Sequence, residues 1–295
     1  MSILTAGCKV NLGLRITGVR PDGYHEIDSL FYPLPRPCDQ IRLRIVDGNG
    51  IHVRCAGPQA ELLNAEHNTL TKAYTAFARA VEGPVPGLEA SLRKGIPSGA
   101  GLGGGSSDAA ALLRWLNGHA ATPLSEKALA DVALGVGADV PFFLHNRPCR
   151  VRGIGEIIEP ANLEFSGMRL VLVCPEIHVS TPQTFADYDV FKAAGQAAEK
   201  QNSLTREQSR ANGTFLSQGR FEADLGNDLE NVVFKRHPEL AEIKATLLRY
   251  GATAACMSGS GSSMLGLFER EALVEAQAVA AALQGENRRV YAHVL

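Results

Sequence analysis

The sequence predicts an α+β protein of two domains, and three observations support this. Short alternating apolar and polar runs typical of strands, such as residues 41–46, occupy the first half. A glycine-rich loop at residues 97–110 then leads into helix-forming residues. From residue 169 the order is strand, helix, strand, strand, helix, strand, the split βαβ or ferredoxin-like pattern. We therefore expect domains at residues 1–160 and 161–295.

The first domain is predicted to begin with strands and continue with helices. Residues 10–17 form a strand, residues 20–23 a turn, and residues 41–46 a half-buried strand. Residues 47–50 are predicted to be a hairpin turn into a strand at 51–55. The remaining predicted elements are a helix opened by Asn68, a strand at 88–93, a helix after the glycine loop, and a helix at 125–134.

The second domain is predicted to start with a buried strand, Arg169–Pro175, that ends at its proline. Residues 192–220 are rich in Gln, Ala, Ser and Gly, which indicates a mobile, partly helical excursion. The later predicted elements are helices at 238–250 and 269–283 and strands at 252–257, 263–268 and 289–294.

Composition excludes several classes of protein. The 295 residues carry a formal net charge of −2, so nothing indicates a surface for nucleic acid or membrane. The start of the chain lacks the basic and apolar segments of a signal peptide, and no apolar run approaches the ~20 residues of a membrane span. We therefore expect a cytoplasmic protein with no nucleic-acid and no membrane partner.

The six cysteines are scattered and form no C-x-x-C pair, so they are predicted to be reduced packing residues. The eight histidines show no H-E-x-x-H spacing, and a structural zinc site is not expected. Cys8 precedes Lys9, which leaves a reactive thiol as the alternative to a packing role.

The loop P-S-G-A-G-L-G-G-G-S-S-D-A-A at residues 97–110 predicts a phosphate site. Glycines let the backbone approach a ligand closely, and the loop leads to a helix N-terminus whose first amides lack partners. The letters also fit G-x-G-x-x-G, but no buried strand precedes them and no acidic residue follows about 20 positions later, which excludes a dinucleotide fold. A Walker loop is excluded because no Gly-Lys-Ser/Thr follows.

Three further features are each ambiguous alone. Lys9 lies at the start of the first strand, and this position alone favours a surface lysine over a functional one. Asp139 is a carboxylate in an apolar, glycine-rich stretch, where it either meets a ligand or caps the helix that begins near Pro141. Residues 258–263, S-G-S-G-S-S, are either a second ligand loop or a hairpin turn.

Together these segments resemble the GHMP kinase superfamily, which includes galactokinase, homoserine kinase and mevalonate kinase. The similarity is carried by the glycine loop and by residues 258–263, and it is sharpened by residues 6–12 (A-G-C-K-V-N-L), 20–26 (R-P-D-G-Y-H-E), 137–141 (G-A-D-V-P), 181–182 and 227–230. At positions 7 and 8, Gly-Cys stands where the family more often has Pro-Ala. The resemblance implies a GHMP kinase fold, with an N-terminal mixed α/β, ribosomal-S5-like domain and a C-terminal ferredoxin-like domain that carries substrate contacts and the third glycine motif.

The resemblance also implies a reaction. It is closest to the branch that phosphorylates the 2-hydroxyl of a cytidine-diphosphate methylerythritol with ATP and Mg²⁺, in the non-mevalonate isoprenoid precursor pathway. Asp139 matches the catalytic base or orienter and Lys9 its partner. The ATP-binding residues implied are Pro97, Gly99, Gly101, Leu102, Gly103, Gly104, Gly105, Ser106 and Ser107, with Lys94 and Asn68 near the base and ribose and Ser107 as a Mg²⁺ contact.

The substrate residues implied by the resemblance include an aromatic sandwich. Tyr24 and Phe185 stack on the cytosine and His25 hydrogen-bonds its edge, with stacking worth ~1–3 kcal/mol. Asn11 would contact a substrate hydroxyl and Thr181 the methylerythritol end. A tyrosine packed over its turn is the alternative for Tyr24, and a helix cap is the alternative for Asn68.

Two other functions stay open at this point. One is a GHMP kinase for another alcohol such as homoserine or mevalonate, which carries no base for the aromatic residues to hold. The other is a non-catalytic nucleotide sensor on the same fold, which would have no need of both Lys9 and Asp139. The sequence is compatible with a monomer or a homodimer.

Overall fold

The computed structural model describes residues 1–56, 68–162, 165–201, 216–217, 220–221 and 225–295. The strands are β1 (Ser2–Val19), β2 (His25–Val46), β3 (Ile51–Ala56), β4 (Gly87–Arg93), β5 (Cys149–Gly153), β6 (Ile157–Pro160), β7 (Arg169–Pro175), β8 (Leu216–Ser217), β9 (Arg220–Phe221), β10 (Ala254–Met257), β11 (Met264–Phe268) and β12 (Arg288–Val294). The helices are α1 (Thr69–Ala80), α2 (Gly104–His119), α3 (Glu126–Val136), α4 (Val140–His145), α5 (Thr181–Gln201), α6 (Glu230–Arg236), α7 (Pro238–Arg249) and α8 (Leu273–Leu283).

The chain divides into two compact units. Unit one contains residues 1–10, 31–98 and 102–160, and unit two contains residues 11–30, 99–101 and 161–295. Strands β1 and β2 and the glycine loop therefore contribute residues to both units. The division into domains at residues 1–160 and 161–295 stays a prediction.

Unit one is built on a mixed sheet in the order β3-β4-β2-β5-β6, with β1 also paired to β2. Helices α1, α2, α3 and α4 pack against one another, and their apolar faces join the sheet in one core. The N-terminal end and the apolar face of α1 show why this segment is helical. Asn68 accepts a hydrogen bond from the Leu70 amide at 2.9 Å, and apolar residues follow at helical spacing, namely Leu70, Ala73, Tyr74 and Phe77.

The predicted hairpin at residues 47–50 is wrong. Strand β4 lies between β2 and β3, antiparallel to β2 and parallel to β3. The amides of Gly87 and Leu88 donate to the carbonyls of Gly48 and Gly50 at 2.9 and 2.8 Å. The turn between β2 and β3 therefore bonds to the start of β4, which lies between them. Because α1 connects β3 to β4, the parallel pair is a crossover unit.

Unit two contains a four-stranded antiparallel sheet in the order β10-β11-β7-β12. In chain order the strands are β7, β10, β11 and β12, and helices lie between β7 and β10 and between β11 and β12. This is the ferredoxin-like arrangement that the sequence predicted. Strands β7 and β11 are buried along their whole length apart from Arg169, and helices α6, α7 and α8 complete the core.

The predicted excursion at residues 192–220 begins as helix, because α5 continues to Gln201. Residues 202–215 and 218–219 lie outside the described part of the chain, so the predicted mobility stays a prediction. No helix in the described residues is long and apolar enough to cross a membrane.

The cysteines are free thiols. Burial raises the pKa of Cys149 and of Cys174 to about 11 and that of Cys256 to about 12, which keeps these three protonated at neutral pH. Cys8 is buried and its Sγ donates to the carbonyl of Arg36, as the predicted packing role requires.

Candidate functional site

Lys9 and Asp139 form an ion pair in unit one. The Lys9 Nζ lies 3.8 Å from Oδ2 of Asp139, and the lysine side chain is 5% exposed while the aspartate is 32% exposed. Burial lowers the pKa of Lys9, and the Asp139 charge acts in the opposite direction. The ammonium also lies 4.6 Å from the centroid of the Phe31 ring. Lys9 is therefore not a surface lysine, and Asp139 acts to keep its buried amine charged.

Asp139 occupies the N-cap position of α4, but its side chain makes no capping hydrogen bond. The capping alternative therefore does not account for this carboxylate. Pro141 lies in the first turn of α4, where its missing amide hydrogen costs no helical bond, and Val140 and Phe142 anchor that helix in the core of unit one. This buried anchor fixes the backbone from which the partly exposed carboxylate projects.

The glycine loop enters α2 through a backbone conformation that requires glycine. Gly103 is the N-cap, with φ at 70°, and a Cβ there would lie 3.0 Å from the Phe143 ring. The first intrahelical hydrogen bond runs from the Ser107 amide to the Gly103 carbonyl. The amides of Gly104, Gly105 and Ser106 precede this bond and have no acceptor within the helix.

The loop is joined to the strand that carries Lys9. The Lys9 amide donates to the carbonyl of Leu102 at 3.0 Å, and the Leu102 side chain is buried. Pro97 lies beyond the end of β4 and is half-buried. In unit one these contacts place the start of α2, which is the predicted phosphate-binding element, next to the Lys9 backbone.

Lys94 is held by two buried carboxylates in unit one. Its Nζ donates to Oδ2 of Asp108 at 2.8 Å and also to Oδ2 of Asp39, while Oδ1 of Asp39 accepts the amides of Gly95 and Ile96. Burial acts to lower the pKa of Lys94, but the charges of Asp108 and Asp39 outweigh it and raise that pKa. Burial raises the pKa of Asp108 to about 7. The Lys94 ammonium is thus engaged within the fold.

Asn68 is the N-cap of α1, as the alternative interpretation had it. Its Oδ1 accepts the Leu70 amide and its Nδ2 lies 3.6 Å from the Cys55 sulfur. The residue is 7% exposed. The structure accounts for this residue by capping, and the predicted ATP contact stays a prediction.

In unit two, residues 99–101 of the glycine loop lie against the second glycine-rich segment, residues 258–263. Gly101 has φ at 73°, and a Cβ there would lie 2.0 Å from the carbonyl oxygen of Ser258. The Ser258 hydroxyl donates to the Gly101 carbonyl at 3.1 Å, and the Ser263 amide donates to the Ala100 carbonyl at 3.2 Å. Glycine is needed at 101 because one backbone touches another there. Residues 258–263 do connect two antiparallel strands, and they also hold the first loop.

Asn11 is buried in a polar network of unit two. Its Nδ2 donates to Ser29 at 2.9 Å, its amide donates to the Ser258 hydroxyl at 3.1 Å, and its side chain is 1% exposed. Asn227 also holds the 258–263 segment, because its Nδ2 donates to the carbonyls of Met257 and Gly259. The predicted contact of Asn11 with a substrate hydroxyl stays a prediction.

His25 and Phe185 lie together in unit two. Their ring centroids are 4.7 Å apart with an interplanar angle of 32°, and the His25 side chain is 8% exposed. His25 Nε2 lies 2.7 Å from Oδ1 of Asp189, which is one turn beyond Phe185 on α5. Tyr24, which precedes β2, is 62% exposed and so is not packed over its turn.

Thr181 begins α5, and its hydroxyl lies 2.7 Å from that of Ser260 in the second glycine loop. His178 covers Gly99, where a Cβ would lie 2.5 Å from the imidazole Nδ1. Both contacts are within unit two. They place the start of α5 and the segment before it beside the two glycine-rich segments.

Comparisons with known proteins bear on the family of this chain. The model of the GHMP kinases N terminal domain matches residues 68–147, and that of the GHMP kinases C terminal domain matches residues 212–287. The 4-diphosphocytidyl-2-C-methyl-D-erythritol kinase of Nitratidesulfovibrio vulgaris (strain DP4) is 46% identical over 99% of this chain and 98% of its own length. That of Lawsonia intracellularis (strain PHE/MN1-00) is 46% identical over 90% and 88%.

The chain belongs to the GHMP kinase family. A crystal structure of 4-(cytidine 5'-diphospho)-2C-methyl-D-erythritol kinase is similar to this GHMP kinase, with a TM-score of 0.72 and 31% identity over 99% of this chain and 98% of that one. Homoserine kinase from Cytophaga hutchinsonii has a TM-score of 0.68 at 17% identity over 99% and 94%, which shows a shared fold. The predicted family and the predicted α+β GHMP kinase fold are confirmed.

The described residues of this GHMP kinase contain no group of three or more His, Cys, Asp or Glu side chains suited to a metal ion. A Mg²⁺ ion that binds together with a nucleotide is held by phosphate oxygens, water and only one or two protein ligands. Near the start of α2 the candidate ligands are the hydroxyls of Ser106, which is half-buried, and Ser107, which is 4% exposed. Oδ1 of Asp108 is buried without a hydrogen bond among the described residues.

Several residues of this GHMP kinase site were missed by sequence reasoning. Asp189 carries a detectable signal, because it lies four positions after Phe185 on a helix and so shares its face. Asn227 lies in the N-D-L-E segment that supports the family resemblance, but no role was attached to it. Asp39 carries no local signal, since its partner Lys94 is 55 positions away along the chain. Ser258 lies in the predicted second loop, but its bond to the Asn11 amide, 247 positions away, was not predicted.

Proposed function

We propose that this GHMP kinase transfers the γ-phosphoryl group of ATP to the 2-hydroxyl of 4-diphosphocytidyl-2-C-methyl-D-erythritol. The observation that carries the proposal is the buried Lys9 ammonium paired with the more exposed Asp139 carboxylate. The names of relatives at 46% identity over nearly the whole chain support the acceptor. We further propose a cytoplasmic monomer or homodimer that acts on a small molecule, without nucleic-acid or membrane partners.

In unit one, Asp139 would orient the acceptor hydroxyl and accept its proton. A carboxylate that is 32% exposed has one side free for substrate, while Lys9 stays behind it in the core. At 3.8 Å and an effective dielectric constant of 20, the pair attracts by about 4 kcal/mol before desolvation. A carboxylate in this position can accept the proton that the hydroxyl loses as it attacks the phosphorus.

ATP would be bound by the glycine loop. The amides of Gly104, Gly105 and Ser106 at the start of α2 provide hydrogen-bond donors and the positive end of a helix dipole for phosphates. When bound, Mg²⁺ would neutralise phosphate charge, with the Ser107 hydroxyl as its proposed contact beside the more accessible Ser106. The backbone at Pro97, Gly99 and Gly101–Gly103 completes the proposed cradle.

Three proposed ligand contacts are better explained as positioning roles. Lys94, Asn68 and Asn11 each use their polar atoms within the fold. Lys94 ties α2, through Asp108, to the segment that follows β4. Asn68 fixes the start of α1. Asn11 would hold the second glycine loop through Ser258.

In unit two, Tyr24, His25 and Phe185 would bind the cytosine. The exposed Tyr24 ring and the half-buried Phe185 ring offer stacking surfaces, and His25 beside Phe185 offers a hydrogen bond to the base edge. Thr181, at the start of α5, would contact the methylerythritol end. Homoserine and mevalonate carry no base, so this group of residues favours a cytidylyl substrate over those two alcohols.

An ATP-consumption assay against three acceptors tests the proposal. Cytidylyl-methylerythritol is expected to give turnover at least about 100-fold above mevalonate and homoserine, because only it engages the stacking residues. Turnover with mevalonate or homoserine at an equal rate would favour the alternative alcohol kinase. ATP binding without turnover of any of the three would favour a nucleotide sensor.

A further inference from the structure

Asp189 has no role in the function proposed above, but it is the polar partner of His25, a predicted substrate residue. It lies on α5 of unit two, one turn beyond Phe185, and is 53% exposed. Its Oδ1 lies 2.7 Å from Nε2 of His25, whose own side chain is only 8% exposed. One helix face thus supplies both the ring that packs on His25 and the carboxylate that binds its outer nitrogen.

This contact decides where the hydrogen of the neutral imidazole lies. An ionised carboxylate only accepts hydrogen bonds, so Nε2 of His25 must carry the hydrogen. In a neutral ring the other nitrogen, Nδ1, then has a lone pair and accepts. Phe185 restricts the ring from one side, so the direction of that lone pair is fixed as well.

A lone pair at this position distinguishes two pyrimidines. Cytosine presents an amino donor at C4, whereas uracil presents a carbonyl acceptor there. An accepting Nδ1 pairs with the amino group, but it would face the uracil carbonyl without a hydrogen between them. We infer that Asp189 is a positioning residue that makes the site select cytosine over uracil by holding the His25 hydrogen on Nε2. This inference rests on the proposed function, because it takes His25 as the residue that contacts the base edge.

The ring nitrogens of His25 give a direct test that needs no substrate. In ¹⁵N-resolved NMR of the full chain, Nε2 is expected to show the shift of a protonated nitrogen and Nδ1 that of an unprotonated one. Asp189→Lys places a side chain that only donates opposite Nε2, and it is expected to exchange the two shifts. Wild-type protein with its hydrogen on Nδ1 would overturn the inference.

Nucleotide binding gives the second test. Wild-type protein is expected to bind CDP more tightly than UDP by roughly 10- to 100-fold, the usual cost of an unpaired polar group. Asp189→Lys is expected to lower this ratio at least about 10-fold, whereas Asp189→Glu, which keeps an acceptor, is expected to retain most of it. The ratio cancels the general effect of added charge on a diphosphate, which is the same for both ligands.

Asp187→Lys is the matched control. Asp187 lies on the same helix and pairs with Arg236 rather than with His25, so the variant makes the same charge change without touching the imidazole. It is expected to keep the CDP-to-UDP ratio within about threefold of wild type. A wild-type ratio in Asp189→Lys, or an equal loss in both lysine variants, would overturn the inference alone. Wild-type protein without any preference for CDP would overturn the cytosine assignment of the proposed function as well.

Discussion

Replacement of Asp139 by asparagine removes one charge from the Lys9–Asp139 pair while it keeps the size and shape of the side chain. Lys9 is 5% exposed and would stay buried without the charge of Asp139. Because the Asp139 charge acts to raise the pKa of Lys9 against the effect of burial, that pKa is expected to fall further in the variant. The carboxylate that would take the acceptor proton is lost at the same time.

The size of both effects follows from the geometry. Attraction across 3.8 Å at an effective dielectric constant of 20 is about 4 kcal/mol before desolvation. Since Asp139 is 32% exposed, solvent screens part of this, and we expect a loss of stability of about 1–3 kcal/mol, below that of a fully buried pair. Loss of a proton acceptor typically lowers kcat by 10²–10⁴-fold, so turnover should fall at least about 100-fold.

Steady-state kinetics with cytidylyl-methylerythritol and urea denaturation measure the two effects separately. The KM for ATP is expected to stay within about threefold, since the glycine loop is unchanged. Asp131→Asn is the control, because it removes an exposed carboxylate from α3 in the same unit. A kcat for Asp139→Asn within threefold of wild type would refute the assignment of Asp139, and an equal loss in Asp131→Asn would refute its specificity.

Three further predictions concern the glycine loops, the stacking tyrosine and the buried carboxylates. Gly101→Ala is expected to lower the free energy of unfolding in urea by at least about 3 kcal/mol, because its Cβ would lie 2.0 Å from a carbonyl oxygen at a φ of 73°. Gly118→Ala, where nothing lies within 4 Å, should be neutral or stabilising, and equal effects of the two changes would contradict the packing argument. Tyr24→Ala is expected to raise the KM for the cytidylyl substrate about 10-fold while the KM for ATP stays within twofold; a parallel rise in both would remove Tyr24 from the base site. Asp108 has a folded-state pKa of about 7, above its ordinary value, so the stability it contributes at low pH should be lost as pH rises from about 4 to about 7. In Asp108→Asn, the urea midpoint should fall less steeply between about pH 4 and about pH 7 than in wild type. A variant whose midpoint falls as steeply as that of wild type would contradict this role of Asp108.

The sequence predicted the local elements of this fold well, because periodicity and end signals act over a few residues. Helix α1 begins after Asn68, and α3 after Ser125, whose hydroxyl accepts the Ala128 amide. The order of elements in unit two was sufficient to predict its sheet, since split βαβ units have few alternative arrangements.

Pairing between distant segments was predicted less well. Residues 47–50 have the composition of a hairpin turn, yet β4 enters between the two strands they join, because the crossover through α1 returns the chain to that position. Composition near the turn carries no information about a strand that starts at Gly87. Strand β2 likewise runs from His25 to Val46, although only its last residues alternate cleanly.

The site was predictable where residues have chemical roles of their own and unpredictable where they act through others. Lys9 and Asp139 were named from the resemblance, and the structure places them 3.8 Å apart in unit one. The roles of Ser258 and Asn227 depend on backbone groups of the second glycine loop, which only the folded chain shows. Asp39 is of the same kind, since its carboxylate serves the segment after β4.

The nature of the acceptor is the central claim, and ³¹P NMR of the reaction product tests it most directly. Incubation of wild-type protein with ATP and cytidylyl-methylerythritol is expected to give one new phosphomonoester resonance, equal in amount to the ADP formed. This phosphorus is expected to couple to C2 of the methylerythritol, and the diphosphate resonances of the cytidylyl group are expected to stay intact. ADP formation without that resonance, or a phosphomonoester at another hydroxyl, would contradict the proposed reaction.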